Sequence, residues 1–214
     1  MVLETGNLPI ASLEISQRSK PEFDNVDFQS RTYEKAFLET YPDYGERFSL
    51  LMTYLNSIGN INPSHKDFSN YICHPVRIAF YLSKICYEMS PDQIDLILLH
   101  NVKEVFYADN ASLNEISFSD ENIRLIDILT IDRDYQYDDK YLTQYYSAIA
   151  REGQFLKLLK VVDKLDNVFV FRQIPESANR KKYLDTVEKF VCPLARSVSE
   201  SLYVYLSNAV NLVR

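Results

Sequence analysis

Three histidines occur in the 214-residue chain, and two of them stand where chemistry is conceivable. His74 precedes Pro75 at what reads as the start of a helix, after a loop holding Ser69, Asn70, Tyr71 and Ile72. His100 lies four residues before Glu104, in a helix expected to run from the Ser90 cap through Asn101 and Val105. That i,i+4 spacing puts His100 and Glu104 on one face. Asp163 and Asn167 repeat the relation further along the chain. Imidazoles and carboxylates converging from separate helices can hold a divalent ion inside a bundle. Such an ion lowers the pKa of a bound water and makes hydroxide near neutral pH. Taken singly, each has a plainer reading: a satisfied core histidine, a solvated helical aspartate.

Other ways of handling phosphate are excluded by a shortage of glycine. Only four occur, where average usage near 7% would give about fifteen. Gly6, Gly45, Gly59 and Gly153 are too scattered to write a dinucleotide-binding fingerprint, a Walker loop or a nucleophile elbow. Side chains or a metal must therefore hold any phosphate. A net charge of −7 argues against a general DNA binder. No apolar run approaches the ~20 residues of a membrane span, and no signal peptide is expected. Cys73, Cys86 and Cys192 are odd in number and widely spaced. They read as buried core thiols in a reduced, cytoplasmic protein.

The elements that must position these residues are helical almost throughout. Ser90-Pro91-Asp92-Gln93 is a capping box with proline at the first helical position. Ser119 opens a second helix through Ile123, Ile126 and Leu129, and the polar stretch 132–139 interrupts the chain before a helix that stops at Gly153. Phe155, Leu158, Leu159, Val162, Leu165 and Phe169 give a strong apolar face. Helices are expected at 32–41, 43–58, 181–191 and 193–213, the last two joined at Pro193, with loops at 60–70 and around Pro175. Residues 1–30 read as an N-terminal extension with partial disorder, and 31–214 as one all-α domain. Lys157, Lys160 and Lys164 form a basic stripe whose first reading is a solvated face, and His65 reads as an exposed loop histidine.

The order of these pieces resembles a family. The segment 71–79, Y-I-C-H-P-V-R-I-A, is similar to the Y-I-x-H-P-x-x-V-A segment of RelA/SpoT-type HD-domain hydrolases, enzymes of the alarmone (p)ppGpp. Residues 98–105, L-L-H-N-V-K-E-V, match their L-L-H-D-V-x-E-D segment, and 161–167, V-V-D-K-L-D-N, match the end of V-K-L-A-D-R-L-H-N. The resemblance covers about residues 31–200 and implies an HD-domain helical bundle, with the small stand-alone hydrolases as the nearer comparison. It implies metal ligation by His74, His100, Asn101 and Asp163, with manganese as the usual ion. It gives Glu104 the catalytic position and Asn167 a hold on the nucleotide. Lys164, Arg77, Tyr141 and Tyr145 join the nucleotide side, Lys164 by matching a basic family position and the tyrosines by falling in an aromatic segment. The implied reaction removes the 3′-pyrophosphate from a guanosine nucleotide, and a homo-oligomer is compatible with it.

Two departures bear on activity. Asn101 stands where the family has the aspartate of its name, and Val105 where it has the second acid of a Glu-Asp pair. A neutral amide weakens a site for hard divalent ions, and valine can neither accept a proton nor position water. Three functions therefore stand open: a weakened hydrolase, a non-catalytic domain that binds a nucleotide or protein partner, and a phosphohydrolase of another nucleotide.

Overall fold

The structure, a computed structural model, describes residues 26–61, 68–86, 88–171 and 178–214. Among these residues the chain forms helices and no β-strand. His65, Pro175 and residues 1–25 lie outside them. The described residues divide into two compact units, one reaching Thr130 and one running from Ile131 to Arg214.

The first unit contains α1 (Val26–Thr40), α2 (Gly45–Ile61), α3 (Phe68–Ile85), α4 (Pro91–Leu99), α5 (Val102–Phe106), α6 (Asn110–Glu115) and α7 (Asp120–Leu129). Helix α3 packs against both α1 and α4. Val76, Ile78, Ala79 and Leu82 of α3 are all buried, as are Phe37 and Phe48. Full burial of a large apolar side chain contributes about 1.5–3 kcal/mol relative to exposure. That apolar packing explains a correction. Pro75 does not open α3 but lies inside it, with His74 one residue before. A proline there removes one backbone bond and costs about 3 kcal/mol, which the burial on either side of it offsets.

Serine caps behave as expected. Ser90 accepts from the Gln93 N–H and the Gln93 side chain accepts from the Ser90 N–H, closing the capping box of α4. Ser119 caps α7 in the same manner by accepting from Asn122. The helix expected to continue past His100, however, stops there. His100 ends α4, Asn101 has φ −111 and ψ 9, and α5 begins only at Val102. His100 and Glu104 thus belong to different helices, and the shared-face argument does not hold. Farther on, the glycine-poor chain turns corners with Tyr107 at φ 57 and Ser117 at φ 56, conformations that non-glycine residues adopt at some cost.

The second unit comprises α8 (Asp139–Arg151), α9 (Gln154–Phe171), α10 (Ala178–Thr186), a π-helical turn at Val187–Val191, α11 (Cys192–Val198) and α12 (Glu200–Val213). Helix α9 packs on α11 and α12 along its apolar face. Asp138 caps α8, its side chain accepting from the Tyr141 N–H. The expected joint at Pro193 is instead the π turn, after which Pro193 continues a helix. The real break falls at Ser199, extended at φ −161 and capping α12 through the Leu202 N–H. The three cysteines are buried thiols, and burial pushes the Cys86 thiol up to about 11. No helix among the described residues is long and apolar enough to cross a membrane.

Candidate metal centre

In the first unit the break between α4 and α5 has a consequence for chemistry. His100 Nδ1 lies 2.7 Å from the Ile97 carbonyl oxygen, which can only accept, so Nδ1 carries the proton. The bond satisfies one of the last carbonyls of α4 and leaves Nε2 with the lone pair, the form of imidazole that ligates a metal. Asparagine at an N-cap usually turns its side chain onto its own helix. Asn101 makes no such cap bond. Its Nδ2 donates instead to His74 Nε2 at 3.4 Å, so this histidine too presents a lone pair at Nε2. The two imidazole rings lie 5.3 Å apart. Asn101 Oδ1 is buried without a hydrogen-bond partner. Three nitrogen and oxygen donors are thus drawn together from α3 and from the break after α4.

In the second unit Asp163 sits in the middle of α9 with no exposed surface. Asn167 Nδ2 donates to its Oδ1 at 3.0 Å. Two ammonium groups pair with Oδ2, Lys160 Nζ at 3.1 Å and Lys164 Nζ at 3.3 Å. Lys160 is only 1% exposed and its Nζ also lies 5.3 Å above the Tyr145 ring. The solvated-face reading of the basic stripe is therefore wrong at this position. The sequence signal was the i,i+3 spacing of Lys160 to Asp163, a pairing distance on a helix. Asp166 is fully buried as well.

Around this charge cluster stand tyrosines. Tyr141 and Tyr145 are stacked at 6.2 Å, and the Tyr141 hydroxyl accepts from the Asp132 N–H. Tyr146 meets Tyr145 edge-on and stacks on Phe190. Burial pushes the Tyr146 phenol up to about 12, opposed by the ammonium groups of Lys164 and Lys160. Burial also raises the Tyr183 phenol, again with Lys164 opposing.

Among the described histidines, cysteines and acids, His74, His100 and Asp163 form a group that could hold a metal ion, each offering one ligand atom. The donor chemistry fits a divalent ion: two buried imidazoles protonated away from Nε2, a carboxylate, and the buried Asn101 oxygen. No family model and no curated protein matches the sequence. A solved structure does match, that of a metazoan ortholog of SpoT that hydrolyzes ppGpp and plays a role in starvation responses. The TM-score is 0.59 at 19% identity, covering 76% of this chain and 94% of that one. The chain shares that protein's fold.

Within this fold the remaining motif residues take definite positions. Arg77 is buried on α3, one turn beyond His74. Glu104 is half-buried on α5, and Val105 beside it is 7% exposed. Sequence reasoning overlooked one other buried carboxylate. Asp95 of α4 accepts from the Tyr44 hydroxyl and from Arg47 Nε and Nη2, while Arg47 Nη1 donates to the Ile116 carbonyl at 2.6 Å. Its only signal was an acid at an apolar-phase position of α4.

Proposed function

We propose that the protein is a metal-dependent phosphohydrolase of the HD type, acting on a 3′-pyrophosphorylated guanosine nucleotide of the (p)ppGpp class. The observation that carries this reading is the buried His74–His100–Asp163 group, which occupies the positions the motifs single out. His74, His100, Asp163 and Asn101 would hold the ion, Mn²⁺ by the resemblance. Such an ion supplies Lewis-acid activation of water and of a phosphoryl oxygen. The protein's own part is then defined. Glu104, the acid that remains of the Glu-Asp pair, takes the proton of the attacking water at its carboxylate. Lys164 and Arg77 meet phosphate oxygens, Tyr141 and Tyr145 flank the nucleotide, and Asn167 keeps Asp163 oriented through the bond it already makes. The reading makes the partner a small nucleotide rather than DNA, handled in the cytoplasm by a single HD domain over residues 31–214.

A second reading, a domain that binds the nucleotide without turnover, is favoured by the burial of Val105 where a second acid would act. Pyrophosphate release from ppGpp with added Mn²⁺ separates the two. The hydrolase reading expects slow turnover that disappears in Glu104→Gln while ion binding persists. It also expects Asn101→Asp to tighten Mn²⁺ by roughly 30-fold, the equivalent of about 2 kcal/mol for one added charge near the ion. Ion binding with no turnover, even in the Asn101→Asp/Val105→Asp double variant, would leave the binding module. Failure of any variant to bind an ion would overturn both the ligand assignment and the reaction.

A further inference from the structure

The proposed ion must compete for a carboxylate that is already engaged on both oxygens. Asn167 occupies Oδ1 of Asp163, and two ammonium groups share Oδ2. The two lysines are not equivalent. Lys160 has 1% of its side chain exposed and is pinned between Asp163 and the Tyr145 ring, whereas Lys164 has 14% exposed and can exchange partners.

Charge makes the exchange consequential. On α9 the two ammonium groups balance the two buried carboxylates of Asp163 and Asp166. A divalent ion bound at Asp163 adds positive charge to a helix face whose described buried carboxylates are already matched by these ammonium groups, and buried uncompensated charge is costly. A phosphate-bearing ligand supplies what is missing. It also offers Lys164 a set of oxygens to move to, which releases Asp163 Oδ2.

We propose that Lys164 couples the two ligands: by passing from Asp163 to a phosphate oxygen it frees the carboxylate for a divalent ion, so ion and phosphoanion bind cooperatively. This deepens the reading above and rests on its assignment of Asp163 as a ligand. Linkage requires the effect to be reciprocal, the ion tightening the anion by the same factor.

The test measures Mn²⁺ binding to the full chain with and without inorganic pyrophosphate, reading free aquo-Mn²⁺ from its electron paramagnetic resonance signal. Because pyrophosphate in solution also removes that signal, a protein-free titration with the same pyrophosphate is subtracted. Pyrophosphate should tighten Mn²⁺ binding about tenfold or more, within the usual span of coupling energies. Lys164→Met should bind Mn²⁺ more tightly than the parent without pyrophosphate and lose most of the enhancement. Lys164→Arg, which keeps an exchangeable cation, should retain it. Strong Mn²⁺ binding that pyrophosphate does not change, or full enhancement in Lys164→Met, overturns the coupling and leaves the proposed function standing. Absence of Mn²⁺ binding under both conditions overturns the proposed function, and the coupling with it.

Discussion

Asp95 and Asp163 are both buried carboxylates in the interior of a helix, and each neutralises cationic side chains of its own unit. Their partners differ in kind. Asp95 is gripped by the planar guanidinium of Arg47, which spans α2 to α4 and reaches on to the Ile116 carbonyl, with the Tyr44 hydroxyl on the remaining side. A fork of this geometry fixes direction as well as charge. Asp163 is held by two ammonium groups, which are point charges on flexible stems, and by one amide. The first carboxylate is a rivet between elements. The second is a candidate ion site whose carboxylate is matched by one pinned and one partly exposed ammonium group. Burial alone does not distinguish them; the shape of the cation does.

The largest expected effect tests the rivet. Arg47→Ala leaves Asp95 charged in the core and the Ile116 carbonyl without its donor, and breaking a buried pair from one side costs about 3–5 kcal/mol. Denaturant unfolding should show that loss, and added Mn²⁺ should not restore it. Asp163→Asn leaves the buried Lys160 ammonium without its counter-ion and should cost a similar amount, but it should also abolish any rise in Tm with Mn²⁺. If Asp163→Asn instead kept its response to the ion, the two carboxylates would be of one kind.

The phenols beside the two carboxylates sharpen the contrast at alkaline pH. Burial raises Tyr44 far above its ordinary range, and the hydrogen bond and charge of Asp95 raise it further. Tyr146, also raised by burial, stops at about 12 because Lys164 and Lys160 pull it down. A phenol whose pKa is higher folded than unfolded keeps its proton more readily in the native state. Its stabilising contribution is complete below pH 10.0 and is lost as pH rises from there through about 12. For Tyr146 the loss across that window is about 2–3 kcal/mol. Tyrosinate absorbance should place Tyr146 before Tyr44, with Tyr44 ionising only as the chain unfolds, and Tyr146→Phe should flatten the fall in stability. Lys164→Met should delay Tyr146. An unmoved Tyr146 would mean that the second cluster does not carry the exchangeable charge assigned to it.

The same contrast explains what could be read from the chain. The helical class was legible because apolar residues recur at helical spacing on α3, α4 and α9, and because Ser90 and Ser119 cap helices through local bonds that a short stretch of sequence contains. That His74, His100 and Asp163 belong to one candidate group was legible through residue order. What escaped was decided by contacts between distant segments. Pro75 stays inside a helix because neighbours bury both its flanks. The chain breaks after His100 without glycine or proline, where the Asn101 side chain is drawn to His74 and the His100 ring turns back to Ile97. Lys160 looked solvent-bound because lysine usually is, and the buried Asp163 together with the Tyr145 ring makes its burial tolerable.

The smallest prediction concerns the helix that joins the two kinds of residue. Asp95 lies in the second turn of α4 and His100 is its C-cap, so the rivet and one candidate ligand are carried by the same short helix. Ser90→Ala removes the side-chain acceptor of the capping box and should cost about 1 kcal/mol, read as a lower denaturation midpoint. Its effect on Mn²⁺ affinity should be nil. The reason is that His100 is positioned from the other end of the helix, by its own bond to the Ile97 carbonyl, while Arg47 holds the middle through Asp95. Loosening the first turn therefore leaves the last one unmoved. A fall in ion affinity in Ser90→Ala would show that the rivet does not isolate His100 from the start of its helix, and that α4 acts as one lever on the site.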